Sequence, residues 1–359
     1  MLFRSNDLKG NVLVLLNGRR AGTGNLAKIM TENVERIEII RGPASVQYGS
    51  AAIGGLVNVI TKKGEGKPSA FVEGKLGSYG YEKGSAGFSG KIKGLDFSGS
   101  YSRSSQDDYT TADGKKYHNT GFDKKEHASV NLGYEFVPDN RIGLVYTGFD
   151  ADDIGDPGRL SLNDLDDYSY KSNESLDFVY DGSALDGSLT WNARYFFGED
   201  DNKWVDPVAS DPGGAMFGDD GNASHRNVDS KGAQAQFTFD HDKYQLTAGI
   251  DWVNYQVESD YSGKYEYDNP SYFVLGKAGL MQKTLNLSAG IRYDDYVVEK
   301  HKQEEKDNVT PKLGISWLPH HNLKFRINYS QGFRMPSGDA LFGSAYKFDG
   351  KLGNKGIGQ

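Results

Sequence analysis

The chain has 359 residues, no cysteine and a formal net charge of −8. This acidic balance argues against a nucleic-acid partner, which would require a basic face. Glycine, tyrosine and phenylalanine are abundant, at 46, 22 and 18 residues, although the mean hydropathy of −0.62 is that of a polar chain. No run of about 18 apolar residues occurs, which excludes a transmembrane helix.

Residues 1–66 combine short elements of different kinds, and a charged, glycine-bearing connector (62–68) follows them. We therefore predict a small mixed α/β domain at 1–66 and a second domain at 67–359. The elements predicted for the first domain are, in order, a strand at Val12–Leu16, a turn at Asn17-Gly18, one or two helical turns at Leu26–Met30, and strands at Arg36–Ile40 and Leu56–Ile60.

From Ser69 onward, apolar and polar residues alternate in strand-length segments. In 244–252, the apolar residues Tyr244, Leu246 and Ile250 share one face and polar residues occupy the other. Segments 285–293 and 323–330 alternate in the same way. Such runs are long enough for the roughly 9–11 residues that a tilted transmembrane strand needs.

Alternation alone does not distinguish a membrane barrel from a soluble β-sandwich. The connections favour the barrel, because brief turns such as Lys93-Gly94 alternate with long polar segments. Short turns on one side and long loops on the other are typical of outer-membrane barrels. The long segments are 106–125, 151–166, 199–226, 259–269 and 299–308.

The pattern thus predicts an all-β fold, an antiparallel transmembrane β-barrel preceded by the small domain. We count about 13 strands, whereas plugged outer-membrane transporters have about 22. An open edge within the bilayer would leave backbone groups unpaired. Residues 1–10 also lack the apolar region of a signal peptide. We therefore expect the chain to be a fragment, with an export signal upstream and further strands downstream.

Residues 34–63, from Val34-Glu35-Arg36-Ile37 to Val59-Ile60-Thr61-Lys62-Lys63, contain the glycine-rich turn Tyr48-Gly49-Ser50. This run resembles the end of the plug domain of TonB-dependent receptors, and Val12–Arg20 resembles an earlier strand and turn of the same domain. Glycines such as Gly49 and Gly55 permit sharp turns within a crowded lumen. The resemblance implies gated uptake across the outer membrane of a Gram-negative bacterium.

The resemblance also implies roles for individual residues. In this family, plug arginines pair with barrel acids and hold the plug in place, so this role is expected for Arg36 and Arg41, together with the neighbouring Glu38. The loop 46–50 would face the external cavity, which makes Gln47 and Tyr48 candidate ligand contacts. The alternative is that the charged residues lie at the edge of a small soluble α/β unit.

Acidic residues cluster at Asp150, Asp152, Asp153 and Asp156, followed by Asp164, Asp166 and Asp167. Clustered carboxylates suit Ca²⁺, which takes six to eight oxygen ligands, and cobalamin receptors of the family bind calcium in comparable loops. The alternative is a solvated acidic loop. The seven histidines show no zinc spacing, and no nucleophile motif is present, so the sequence does not indicate an enzyme.

The sequence is therefore interpreted as part of a TonB-dependent receptor that takes up a scarce metal chelate. A ferric siderophore or a cobalamin-like ligand, carrying iron or cobalt, would bind between the plug apices and the external loops. The expected partners are outer-membrane lipid and the energising TonB-ExbB-ExbD complex, with no nucleic acid and no required cofactor. The alternatives are a non-energised outer-membrane barrel (a porin or an adhesin) and a soluble β-rich binding protein.

Overall fold

In a computed structural model of the protein, most of the described residues belong to two β-sheets. Among the residues that it describes, no helix is long and apolar enough to cross a membrane. The described residues are 12–21, 26–29, 31–41, 45–50, 52–159, 162–207, 223–260, 262–299 and 303–333.

The small sheet has four strands in the order β2-β1-β4-β3, and β1 and β4 run parallel. Both faces of β1 are buried, with Leu13 and Leu15 in one apolar cluster and Val14 and Leu16 in another. Because successive side chains of a strand point to opposite faces, this run occupies the interior of the sheet. The strands are β1 (Val12–Leu16), β2 (Arg19–Arg20), β3 (Val34–Arg41) and β4 (Gly55–Thr61).

Two short helical segments connect these strands. A single 3-10 turn spans Leu26–Lys28, and helix α1 spans Ser45–Tyr48. The predicted helical turn and three predicted strands of this domain are thus present. The predicted boundary at 66–67 falls in the connector between β4 and the next strand.

The large sheet contains 13 antiparallel strands, as many as the alternation predicts. Consecutive strands are hydrogen-bonded neighbours, and the sheet does not close on itself. Its strands are β5 (Ser69–Leu76), β6 (Glu82–Ile92), β7 (Leu95–Gln106), β10 (Phe122–Val137), β11 (Asn140–Gly155), β14 (Tyr168–Ala184), β15 (Leu189–Val205), β16 (Ala223–His241), β17 (Tyr244–Ser259), β18 (Gly263–Leu280), β19 (Leu285–Glu299), β20 (Gln303–His320) and β21 (Leu323–Ser330).

The prediction of long loops is wrong for much of these segments, which are strands in the structure. The polar segments 199–226 and 259–269 contribute to β15–β18, and only residues 260–262 separate β17 from β18. Backbone pairing continues past the apolar belt because it does not depend on side-chain polarity. Two small hairpins also lie in the connections, β8 (Tyr109–Thr110) with β9 (Lys116–Tyr117), and β12 (Gly158–Arg159) with β13 (Leu162–Asn163).

The two faces of the large sheet differ in chemistry. The face that contacts the small sheet, here called the inner face, carries polar side chains, among them Asp177, Ser129 and Asp200. The opposite, outer face exposes large apolar side chains such as Ile142, Phe178 and Ile250, each about half exposed. An apolar outer band with a polar interior is the arrangement of a membrane barrel wall.

Candidate functional site between the two sheets

The β1–β2 hairpin delivers an arginine to the inner face of the large sheet. Asn17 and Gly18 adopt φ values of 51° and 89°, as a two-residue Asn-Gly hairpin turn requires. The next residue, Arg19, places its Nε 2.8 Å from Oδ2 of Asp177 on β14. Both side chains are almost fully buried, with exposed fractions of 2% and 1%. The hairpin therefore positions an ion pair that joins the two sheets.

Asp177 serves a second arginine as well. Arg194 of β15 approaches the same carboxylate at 3.6 Å and donates a hydrogen bond from Nη1 to the backbone oxygen of Asn17 at 2.8 Å. The Phe196 ring covers Arg19, whose Cζ lies 4.8 Å from the ring centroid. One carboxylate thus balances two enclosed guanidinium groups, and its loss would leave both charges buried without a partner.

Lys28, at the end of the 3-10 turn, forms the second charged contact. Its Nζ lies 2.7 Å from Oδ1 of Asp200 on β15 and donates to the backbone oxygen of Ser172 at 2.9 Å. Burial lowers the pKa of Lys28, and Asp200 opposes this effect, whereas the nearby Lys171 ammonium adds to it. The lysine is therefore held where burial and a second ammonium disfavour its charge.

Further contacts join the two sheets beside β6, β7 and β10. Glu32 pairs with Lys83 of β6, and Asn33 donates to Oγ of Ser129 at 2.5 Å. The backbone oxygen of Lys62 accepts hydrogen bonds from Ser98 and Asn131, at 2.8 and 3.2 Å. Two more strands of the wall, β7 and β10, thus fix the end of the small sheet.

Helix α1 and the turn after it rest against β18–β20. Gly49 has a φ of 75°, and a Cβ at this position would lie 3.0 Å from Nη2 of Arg292 and 3.3 Å from Nη2 of Arg20. Only glycine fits here without strain. After β21 the chain bends back to the same helix, where the Phe333 backbone N–H donates to Oγ of Ser45 at 3.3 Å.

The two arginines beside Gly49 have different partners for their positive charges. Arg292 pairs with Asp251 at 2.7 Å and with Asp294 at 2.9 Å. Arg20 instead donates to the backbone oxygen of Ser50 at 2.6 Å. A cavity of about 260 Å³ opens beside them, and Gln47, Tyr48 and Asn269 are among its lining residues. Helix α1 therefore borders a space between the two sheets that both polar and apolar side chains line.

Family models identify both parts of this assembly. The TonB-dependent receptor plug domain matches residues 3–56, and the TonB dependent receptor-like β-barrel matches residues 272–356. Both matched segments are thus similar to domains of TonB-dependent receptors. The small sheet is thus the plug, the large sheet is barrel wall, and the fold predicted from alternation is confirmed.

Individual proteins are similar to this chain in sequence or in fold. The ferrienterobactin receptor of Escherichia coli K12 is 50% identical over 83 residues, which are 18% of this chain and 11% of that receptor. The FrpB iron transporter of Neisseria meningitidis has a similar fold, with a TM-score of 0.75 and 16% identity over 91% of this chain and 58% of that one. The copper transporter OprC gives a TM-score of 0.77 and 16% identity over 96% and 58%. This chain therefore spans little more than half of these structures.

The residues expected to hold the plug lie on β3, at the edge of the small sheet. Arg36 pairs there with Glu35 at 2.5 Å and with Glu38 at 2.9 Å, and about half of its side chain is exposed. Arg41 lies opposite Gly55 in the register. Their role against the barrel stays a prediction, since the described bridges to the barrel come from other residues, chiefly Arg19 and Lys28. The sequence signal that could have indicated the hairpin contact is the pair Arg19-Arg20 directly after the Asn-Gly turn.

The two candidate ligand contacts lie in α1. Gln47 and Tyr48 both line the cavity beside Arg20, and Tyr48 also packs against the buried cluster around Leu15 and Leu56. Burial raises the pKa of Tyr48, and the charge of Glu38 adds to this effect. Ligand binding by Gln47 and Tyr48 stays a prediction.

The calcium prediction gains no support from the structure. Asp150 and Asp152 both pair with Lys124, at 2.7 and 2.9 Å, so a lysine already neutralises part of their charge. Asp153 has a φ of 45° at an irregularity of β11, and Asp156 follows the end of that strand. Within the described ranges, the acidic group whose carboxylates converge, within 4.8 Å of one another, is Asp164, Asp166 and Asp167.

Proposed function

We propose that this protein acts in the Gram-negative outer membrane as a receptor for energised uptake of a metal chelate, with a ferric siderophore as the preferred class. The main support is a plug domain held against the inner face of a barrel wall by buried charged contacts. Such a domain blocks the lumen, so passage requires it to move. The similarity to a ferrienterobactin receptor favours iron over cobalt.

Energy for this movement would come from the TonB-ExbB-ExbD complex, which the similarity to TonB-dependent receptors implies as a partner. The Arg19–Asp177 and Lys28–Asp200 pairs then hold the closed state. Their enclosure explains why force would be needed, because separating buried charges exposes them without partners. The passive-barrel alternative offers no role for such a fastened domain, and the apolar outer face does not suit a soluble binding protein.

The proposal is tested by uptake in cells. The complete reading frame is expressed in a Gram-negative strain that lacks its own ferric-siderophore receptors, and accumulation of iron-55 chelates and of labelled cobalamin is measured separately. We expect saturable iron accumulation that disappears when TonB is deleted or when a protonophore collapses the proton gradient. Uptake that persists without TonB would refute the energised mechanism, and uptake of cobalamin alone would refute the assignment to iron.

A further inference from the structure

Two lysines of the barrel wall occupy a single transverse row of the inner face. Lys125 of β10 lies opposite Ala151 of β11, and Ala151 lies opposite Lys171 of β14. Adjacent strands are about 4.8 Å apart, so the two lysines stand roughly 10 Å apart along the row. Arg226 of β16 belongs to the same row, through Asn202 of β15.

The contacts with the plug show that both lysines face the lumen. Ser129, four residues from Lys125 on β10, accepts a hydrogen bond from the plug residue Asn33. Asp177, six residues from Lys171 on β14, binds the plug residue Arg19. Residues an even number of positions apart on a regular strand share a face. Lys125 and Lys171 therefore point into the same space as the plug.

Neither ammonium has a carboxylate partner within 4 Å among the described residues. Lys125 lies over the Phe122 ring, with Nζ 3.5 Å from the centroid, and both lysines are half-buried. The charge of Lys171 acts on Lys125, while Asp156 supplies an opposing charge to Lys171. The neighbouring Lys124, on the outer face, is instead paired with two aspartates.

The row lies near the end of the wall that carries the two small hairpins. Lys125 and Lys171 each come three positions after the first residue of their strands, Phe122 and Tyr168. The plug residue Lys28 is close by, bonded to the backbone of Ser172. A solute entering from this end would meet the two lysines beside the plug.

We propose that Lys125 and Lys171 form a luminal subsite for anions, and that the transported chelate carries a net negative charge. This inference rests on the proposed function and specifies its substrate class. Half-buried cations without carboxylate partners are electrostatically costly. An anionic chelate would supply the missing charge, and the field of two or three cations would draw it towards the plug.

Binding of two ferric chelates of different charge tests this subsite. The probes are a ferric tris-catecholate, which is a trianion, and a ferric trihydroxamate, which is neutral. The test variant is K125Q combined with K171Q in the complete reading frame, and K125R combined with K171R preserves the charge. K231Q is the matched control, because Lys231 is an exposed residue on the outer face of the neighbouring wall.

For the wild type we expect tighter binding of the trianion than of the neutral chelate. The double glutamine variant should bind the trianion roughly tenfold or more weakly and lose most of the salt dependence. The double arginine variant and K231Q should bind like the wild type. Unchanged trianion binding by the glutamine variant, or wild-type preference for the neutral chelate, would overturn the subsite and leave the proposed function intact. Binding of neither ferric chelate by the wild type would overturn both.

Discussion

Replacing Asp177 by asparagine should loosen the plug more than any other isosteric change in the wall. The substitution keeps the shape of the side chain but leaves Arg19 and Arg194 buried without their shared carboxylate. Removing one partner of a buried ion pair costs about 3–5 kcal/mol. A small domain in urea typically has an m-value of about 1–2 kcal/mol per molar. The midpoint for opening of the plug should therefore fall by about 1.5–5 M urea.

Opening can be measured with a single cysteine, because the chain has none. Ala52→Cys places a thiol at a position of 0% exposure in the plug core, where a maleimide reacts only once the plug opens. The matched control is Asp181→Asn on the same strand, whose partner Lys63 is 49% exposed. An exposed pair of this kind contributes at most about 1 kcal/mol. Equal midpoints for the two asparagine variants would refute the reasoning that burial makes the Asp177 contact strong.

Three further predictions concern other parts of the molecule. Gly49→Ala should destabilise the plug by about 1–3 kcal/mol, because φ is positive at this position and the added Cβ would contact two arginines. Gly18→Ala should destabilise it less in the same urea assay, because a Cβ added there would meet no atom within 4 Å. Although burial opposes it, the hydrogen bond from Lys83 lowers the pKa of Glu32. The contact should therefore stabilise the plug fully above the ordinary pKa near 4.5 and lose this effect as the pH falls through the lowered value. The protection of the amides of residues 31–34 from hydrogen exchange, after correction for the intrinsic pH dependence of the exchange rate, should then fall on acidification in the wild type but not in Glu32→Gln. Ile250→Lys, on the outer face, should destabilise the barrel by about 2–4 kcal/mol if the residue lies near the bilayer midplane, and normal membrane recovery with unchanged stability in lipid would contradict a lipid-facing position.

The sequence was sufficient to predict the barrel wall because each strand repeats the same alternation of apolar and polar residues. The pattern of Tyr244, Leu246 and Ile250 predicts a shared apolar face, and all three side chains are about half exposed on the outer face. Strand length was harder to predict, because β15–β18 extend through polar segments in which alternation no longer reports pairing. Backbone hydrogen bonds continue there without an apolar signal.

The contacts between plug and wall were less accessible to sequence analysis. Arg19 and Asp177 are 158 positions apart, and no local pattern reveals which acid meets which base. In the sequence, Arg36 and Arg19 are equally suitable as partners for an acidic residue of the wall. In the structure, Arg36 lies on the edge strand of its sheet, whereas Arg19 directly follows the hairpin turn. Only the fold determines which of them reaches the wall.

The plug is attached by different chemistry on its two flanks. Towards β14 and β15 the contacts are charged and enclosed, through Arg19 and Lys28, whereas at α1 a backbone N–H of Phe333 meets the hydroxyl of Ser45. We therefore expect mechanical anisotropy. A pull that loads the charged flank first must break its ion pairs together, while a pull that begins at α1 meets hydrogen bonds to the wall without an ion pair and can separate the domain in steps. The direction of pulling, as well as its strength, would then set the work needed to open the lumen.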